Sequence, residues 1–127
     1  MTIERIYPTG LYRPPTYSPV VKAGNTIYIA GQTAMDVSGS LVGKGDIKAQ
    51  VAQVFRNIMT ALASVGASYT NLVKVTTYLT SAANIEGYRT VRSQFLINDL
   101  PASTLLVIKG LARADMLVEI DAIAVVE

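Results

Sequence analysis

The sequence predicts an α+β domain in which two helices pack on one face of a mixed sheet, in the order β-β-α-β-α-β-β. Three observations predict it. Apolar residues at Ile47, Val51, Val54, Phe55, Ile58, Ala61, Leu62 and Val65 fall at helical spacing with one broad buried face. The run "NLVKVTTYLT", residues 71–80, is rich in β-branched side chains and separates that helix from a second. Paired β-rich runs stand at both ends of the chain, around Ala23-Gly24-Asn25 and around "GLARAD", residues 110–115.

Each element has a local reason. "PTGLYRPPTYSP" holds four of the five prolines, which fix φ and remove backbone donors, so it reads as an ordered loop. "VVKAGNTIYIAGQTA" reads as a hairpin turning at Gly24-Asn25. "MDVSGSLVGKG" is a glycine-rich loop without the GK[ST] ending of a phosphate-binding loop. Asp46 caps the first helix and Gly66 suits its stop. Ser81 caps a second helix, roughly Ala82 to Leu96, with Ile85, Tyr88, Val91 and Phe95 on one side. After Pro101 come two final strands joined through "GLARAD", expected as a hairpin. "LLVIKGL" and "AIAVV" are apolar on both faces, so the sheet face opposite the helices needs cover too.

Length bounds the chain to one domain, residues 1–127. Half of it is apolar and only 16% is charged, which leaves little charge for an outer surface and points to a buried subunit interface. With neither Cys nor His, cysteine nucleophiles, histidine bases, Ser-His triads and Cys/His zinc sites are excluded. Lys and Arg are scattered and the net charge is +2, so nucleic-acid binding has little support. No apolar stretch reaches the ~20 residues of a membrane span, and the first residues lack a signal-peptide apolar region. A soluble, cytoplasmic protein is the expectation.

Glu119 and Asp121 lie two apart on the last strand, so they share a face about 6.5–7 Å apart. On the residues alone two readings of Glu119 stand: a water-orienting carboxylate, or an interface residue paired with Lys or Arg. Asp121 reads as solvent-facing or ion-paired. Ser103 and Thr104 either donate to a ligand or satisfy backbone groups at a strand start.

"YPTG", "GQ" after a hairpin strand, the first helix, "LVKVTTYLT", "LPAST" and "VEIDAIAVVE" together resemble the RidA/YjgF family, in order and spacing, across essentially the whole chain. The resemblance implies a chorismate-mutase-like fold and a homotrimer with a small-molecule cleft between each pair of neighbouring subunits. It implies hydrolysis of reactive imines or enamines to a carbonyl compound and ammonia, with no metal or organic cofactor. Tyr17 matches the family's cleft tyrosine, Gly31 the glycine whose backbone N–H faces ligand, and Glu119 the glutamate that positions the attacking water. The family's Arg after the Pro-Ala pair, whose fork grips a substrate carboxylate, is Ser103 here, and the Ser before "GQ" is Ala30. That departure points away from the usual small amino-acid imines and toward a different or bulkier substrate. Arg89, Arg92 and Arg113 are candidates to restore the cation, with Arg89 first because an Asn of the family's second helix aligns there. Two other readings stand beside deamination: a non-catalytic binding or sensing trimer, and, more weakly, the endoribonuclease or translation inhibitor of older family labels.

Overall fold

The computed structural model describes residues 1–127. The strands are β1 (Ile3–Ile6), β2 (Val20–Ala23), β3 (Thr26–Gln32), β4 (Leu72–Leu79), β5 (Ala102–Val107) and β6 (Val118–Val125), and the helices are α1 (Ile47–Ala63) and α2 (Ile85–Phe95). They form a six-stranded mixed sheet in the order β1-β2-β3-β6-β4-β5, the α+β architecture expected.

The helix ends follow local chemistry. Asp46 accepts the Ala49 N–H at 3.1 Å and starts α1. Gly66, with φ of 71°, ends the turn after it: the Ala67 N–H donates to Leu62 O and the Gly66 N–H to Ala63 O. Such a closure needs a left-handed residue, which Gly adopts without a Cβ clash. Ser81 accepts the Ala83 N–H at 3.2 Å, capping a 3-10 turn (Ala82–Asn84) that leads into α2. Val51, Val54, Phe55, Ile58, Ala61 and Leu62 are fully buried against the sheet. Each of the larger side chains among them contributes about 1.5–3 kcal/mol by leaving water. Phe55 stacks on Phe95 at 5.3 Å and Tyr69 stands edge-on to both, tying α1 to α2. The Tyr69 hydroxyl donates to Phe55 O, and burial pushes its pKa up to about 12.

Two expectations are corrected. A strand, β1, precedes the predicted hairpin and pairs with β2, adding an eighth strand or helix to the seven expected. Two of its four residues are charged and three are exposed, so it carries no apolar alternation to read. The last two strands are not a hairpin. β6 inserts between β3 and β4, antiparallel to both, while β5 lies parallel to β4 at the sheet edge. A parallel neighbour follows from the α2 crossover, and the long 108–117 connection then carries the chain back across β4.

Alternation along β6 sorts the sheet into two faces. Val118, Ile120, Ala122 and Ala124 are buried under the helices, while Glu119, Asp121 and Ile123 point the other way. That second face is uncovered. Register places Glu119 beside Tyr78 and Leu106, Asp121 beside Thr76 and Thr104, and Ile123 beside Lys74 and Tyr28. Neither helix is long and apolar enough to cross a membrane.

Candidate functional site

The site grows from one irregularity. Between Ile29 and Gln32 the β3–β6 register shifts, while on the other side of β3 the Ala30 N–H extends the pairing with β2 by donating to Pro19 O at 3.0 Å. A bulge of this kind re-aims side chains and bends the strand. It brings Gly31 against the carboxyl of Glu119, so closely that a Cβ on Gly31 would lie 2.8 Å from Glu119 Cδ. The bond from Ala30 to Pro19 also draws the proline-rich loop over the bulge. That loop delivers Tyr12, Pro14 and Tyr17 to a cleft whose floor is Gly31, Thr33 and Asn57. The cleft measures about 20 Å³, room for about one water.

Polar side chains from α1 hold both edges of this arrangement. Asn57 Nδ2 donates to Thr33 O at 3.1 Å and Met35 O at 2.9 Å, fixing the chain that leaves β3. Gln50, fully buried, donates to Gly43 O and Asp115 O and accepts the Leu117 N–H at 2.9 Å, fixing the chain that enters β6. Glu119 is two residues further on. No buried polar side-chain atom is left without a partner.

The electrostatics single out Glu119. Burial first, and the neighbouring Asp121 second, raise its pKa above the ordinary carboxylate value. Tyr17 is raised as well, by burial and then by the charges of Glu119 and Tyr12, so the two groups share one field. No lysine or arginine is ion-paired with Glu119, the one salt bridge being Arg89–Glu86 at 3.4 Å. Asp121 is neither ion-paired nor free: it accepts a hydrogen bond from the Tyr78 hydroxyl at 3.0 Å, which raises the Tyr78 pKa. Thr104 accepts from Lys74 Nζ at 2.5 Å on the same open face. A half-buried carboxyl with a raised pKa thus lies against Gly31, on the rim of a one-water space that Gly31 and Tyr17 line, and a carboxyl so placed can act as a base toward water. No group of three His, Cys, Asp or Glu side chains comes within metal-ligating reach.

Tyr17, Gly31 and Glu119 therefore come together within one protomer, and Ser103 and Arg89 lie apart from them. Ser103 pairs with Val75, which pairs with Ala122, so it sits two strands from β6 and on the helix-covered side. Arg89 is on the exposed side of α2, paired with Glu86. Arg113 donates to Gly39 O at 3.1 Å and braces the loop after β3. Arg92 lies over the Tyr88 ring and lines the same cavity as Ser103. Tyr12 and Asn57 belong to the cleft yet were not singled out from sequence. Asn57 did leave a signal, as a polar residue between Val54 and Ile58 on the apolar stripe of α1. Tyr12 left none, because only the fold of the proline-rich loop sets its direction.

Known proteins share this architecture. The family model for endoribonuclease L-PSP matches residues 11–126. A RutC family protein of Pyrococcus horikoshii is 37% identical over 108 residues, covering 85% of each chain. A 2-iminobutanoate/2-iminopropanoate deaminase of Dermatophagoides farinae is 30% identical over 129 residues and covers 100% of both. The crystal structure of RidA from the Antarctic bacterium Psychrobacter superposes with a TM-score of 0.90 at 30% identity, covering 97% of this chain and 99% of that one. With a family match over nearly its whole length and the same fold in a solved relative, the chain belongs to the endoribonuclease L-PSP family, the RidA/YjgF family that its motifs resemble.

Proposed function

We propose that the protein is a homotrimer that hydrolyses an imine or enamine in clefts at its subunit seams. Glu119 orients and deprotonates the attacking water. The observation that carries this reading is the Glu119 carboxyl itself: half-buried, raised in pKa and set against Gly31, which together with Tyr17 lines a space the size of one water. The water adds to the C=N carbon as one of its protons passes to Glu119, which returns it to nitrogen to give a carbinolamine. Glu119 then takes the carbinolamine hydroxyl proton and passes it to nitrogen, so that the C–N bond breaks and ammonia leaves as the C=O bond forms. The Tyr17 hydroxyl and backbone N–H groups near Gly31 hold the developing oxygen charge. The Ser103 hydroxyl of a neighbouring copy faces them across the seam.

Two features support the trimer. A protomer's own cleft is too small for a metabolite, so the remaining walls come from another copy. The uncovered sheet face carries Tyr28, Leu106 and Val125 in the open, an apolar surface of the kind that marks an interface. The deaminase names of relatives, one of them matched over its full length, support the reaction class.

The test is release of ammonia and keto acid from enamines of small and branched 2-amino acids generated in situ, with wild type and Glu119→Gln. Loss of turnover in Glu119→Gln is expected, and full turnover would sink the role of Glu119. A second reading, a binding trimer without chemistry, draws on Ser103 standing where the family has its cationic fork. It wins if wild type and Ser103→Arg are both inert while keto acids still raise the melting temperature.

A further inference from the structure

The protomer holds a second cavity on the opposite side of the sheet, between α2 and β5, of about 270 Å³. Val75, Leu96 and Leu100 form its apolar wall, and Arg92, Ser93 and Ser103 supply its polar atoms. Ser103 faces it because its register partner Val75 is buried under the helices, and side chains paired across strands share a face. The cavity lies at β5, the last strand of the sheet, where a neighbouring copy has access.

Arg92 is the only charged group in that lining. Its guanidinium carbon lies 5.4 Å from the centre of the Tyr88 ring, a cation–π distance. The ring cannot swing, because Tyr88 is fully buried and its hydroxyl shares a 2.8 Å hydrogen bond with Thr77 on β4. The guanidinium is thus held on a fixed platform. It is also unspent: the single salt bridge belongs to Arg89, and Arg92 makes no side-chain hydrogen bond. The Ser93 hydroxyl is spent on the Arg89 and Thr90 carbonyls, so a half-buried planar fork with free donors, flanked by the Ser103 hydroxyl and an apolar wall, describes a receptor for a carboxylate bearing an aliphatic side chain.

We propose that Arg92 is the group that binds the substrate carboxylate, and that the cavity it shares with Ser103 selects 2-imino acids with branched or longer aliphatic side chains. This rests on the imine-hydrolase reading and names its substrate class. A long side chain at position 103 would project into the same space. The small Ser103 leaves that volume for the substrate, and the cation enters from α2 instead of β5. A lone guanidinium among aliphatic side chains suits a monocarboxylate. Phosphate asks for more donors than this wall provides.

Calorimetric titration tests it, with 4-methyl-2-oxopentanoate, its methyl ester and inorganic phosphate as probes against wild type, Arg92→Ala, Arg92→Lys and Arg89→Ala. Wild type and Arg89→Ala should bind the acid alike, and Arg92→Ala should bind it at least about tenfold more weakly. Arg92→Lys should recover only part of the loss, and the ester should bind all four proteins equally. Unchanged acid affinity in Arg92→Ala overturns the proposal, as does wild type binding ester or phosphate as tightly as acid. If Arg92→Ala does not fold, Arg92→Gln answers the same question. The two readings fail separately. Acid binding through Arg92 without imine turnover defeats hydrolysis alone, whereas turnover with an unchanged KM in Arg92→Ala defeats the Arg92 assignment alone.

Discussion

Glu119 occupies the space that a side chain at position 31 would need, since a Cβ on Gly31 falls 2.8 Å from Glu119 Cδ. The backbone at Gly31 is not left-handed, so the constraint is the approach of the carboxyl and not the torsion angle. Gly31→Ala is expected to push Glu119 off its water at an overpacking cost of about 1–3 kcal/mol. Turnover should fall about tenfold or more while the protein stays folded, read by kcat/KM and a melting curve. Undiminished kcat/KM would show that the carboxyl position does not matter.

Glu119→Gln has a pH signature of definite sign. Burial raises the folded-state pKa of Glu119, so the native protein binds the proton more tightly than the unfolded chain does. Stability from this group is complete below its ordinary carboxylate pKa and is lost as pH rises through the folded value. Glu119→Gln, which carries no charge to bury, should gain stability over wild type at neutral pH, with the gain vanishing toward pH ~4. Melting temperatures across that range decide it. In wild type, the acid limb of the rate profile should lie above the usual carboxylate pKa.

Gln50 secures the strand that carries Glu119. Gln50→Leu keeps the volume but strands the Asp115 carbonyl and the Leu117 N–H, while the Gly43 carbonyl keeps its bond from the Asp46 N–H. A loss of about 2 kcal/mol or more is expected, at roughly 1–3 kcal/mol per buried unpaired group. Denaturant unfolding measures it, and a cost below about 0.5 kcal/mol would mean that water replaces both lost bonds.

The Tyr88–Thr77 bond should show coupling. Tyr88→Phe and Thr77→Val each leave a buried hydroxyl unpaired and should cost about 1–3 kcal/mol. The double variant should cost clearly less than their sum, because removing both partners leaves nothing unsatisfied. Strict additivity would show that the hydroxyls are independent. Tyr88→Phe also leaves the ring under Arg92, so its effect on acid binding should be small.

Tyr28 stands on the uncovered sheet face beside Ile123, 49% exposed in the protomer. A carboxylate there would be buried without a partner if three copies close over that face. Tyr28→Glu is expected to sediment as a folded protomer at micromolar concentration, where wild type sediments as a trimer. A trimeric variant would move the interface elsewhere.

Local patterns carried much of the fold. The α1 stripe, its Asp46 cap, the Gly66 stop and the Ser81 cap are all written in spacing and residue type, and each recurs in the structure. The β5–β6 hairpin expected around "GLARAD" failed because no local signal says which strands are neighbours; β6 between β3 and β4 is a long-range choice. Arg89 and Arg92 show the same limit at a smaller scale. Sequence spacing ranks them only by alignment, whereas packing sends Arg89 to Glu86 on the surface and Arg92 over Tyr88 into a cavity.

By itself the sequence determined the family, the type of every strand and helix except β1, and the two faces of the last strand, because caps, turns and periodicity are properties of adjacent residues. Only the tertiary structure decided that a bulge at Ala30–Gly31 presses glycine against Glu119, and that Ser103 lies two strands away on the other side of the sheet. Strand order and register are set by burying the whole core at once, which no stretch of chain encodes alone.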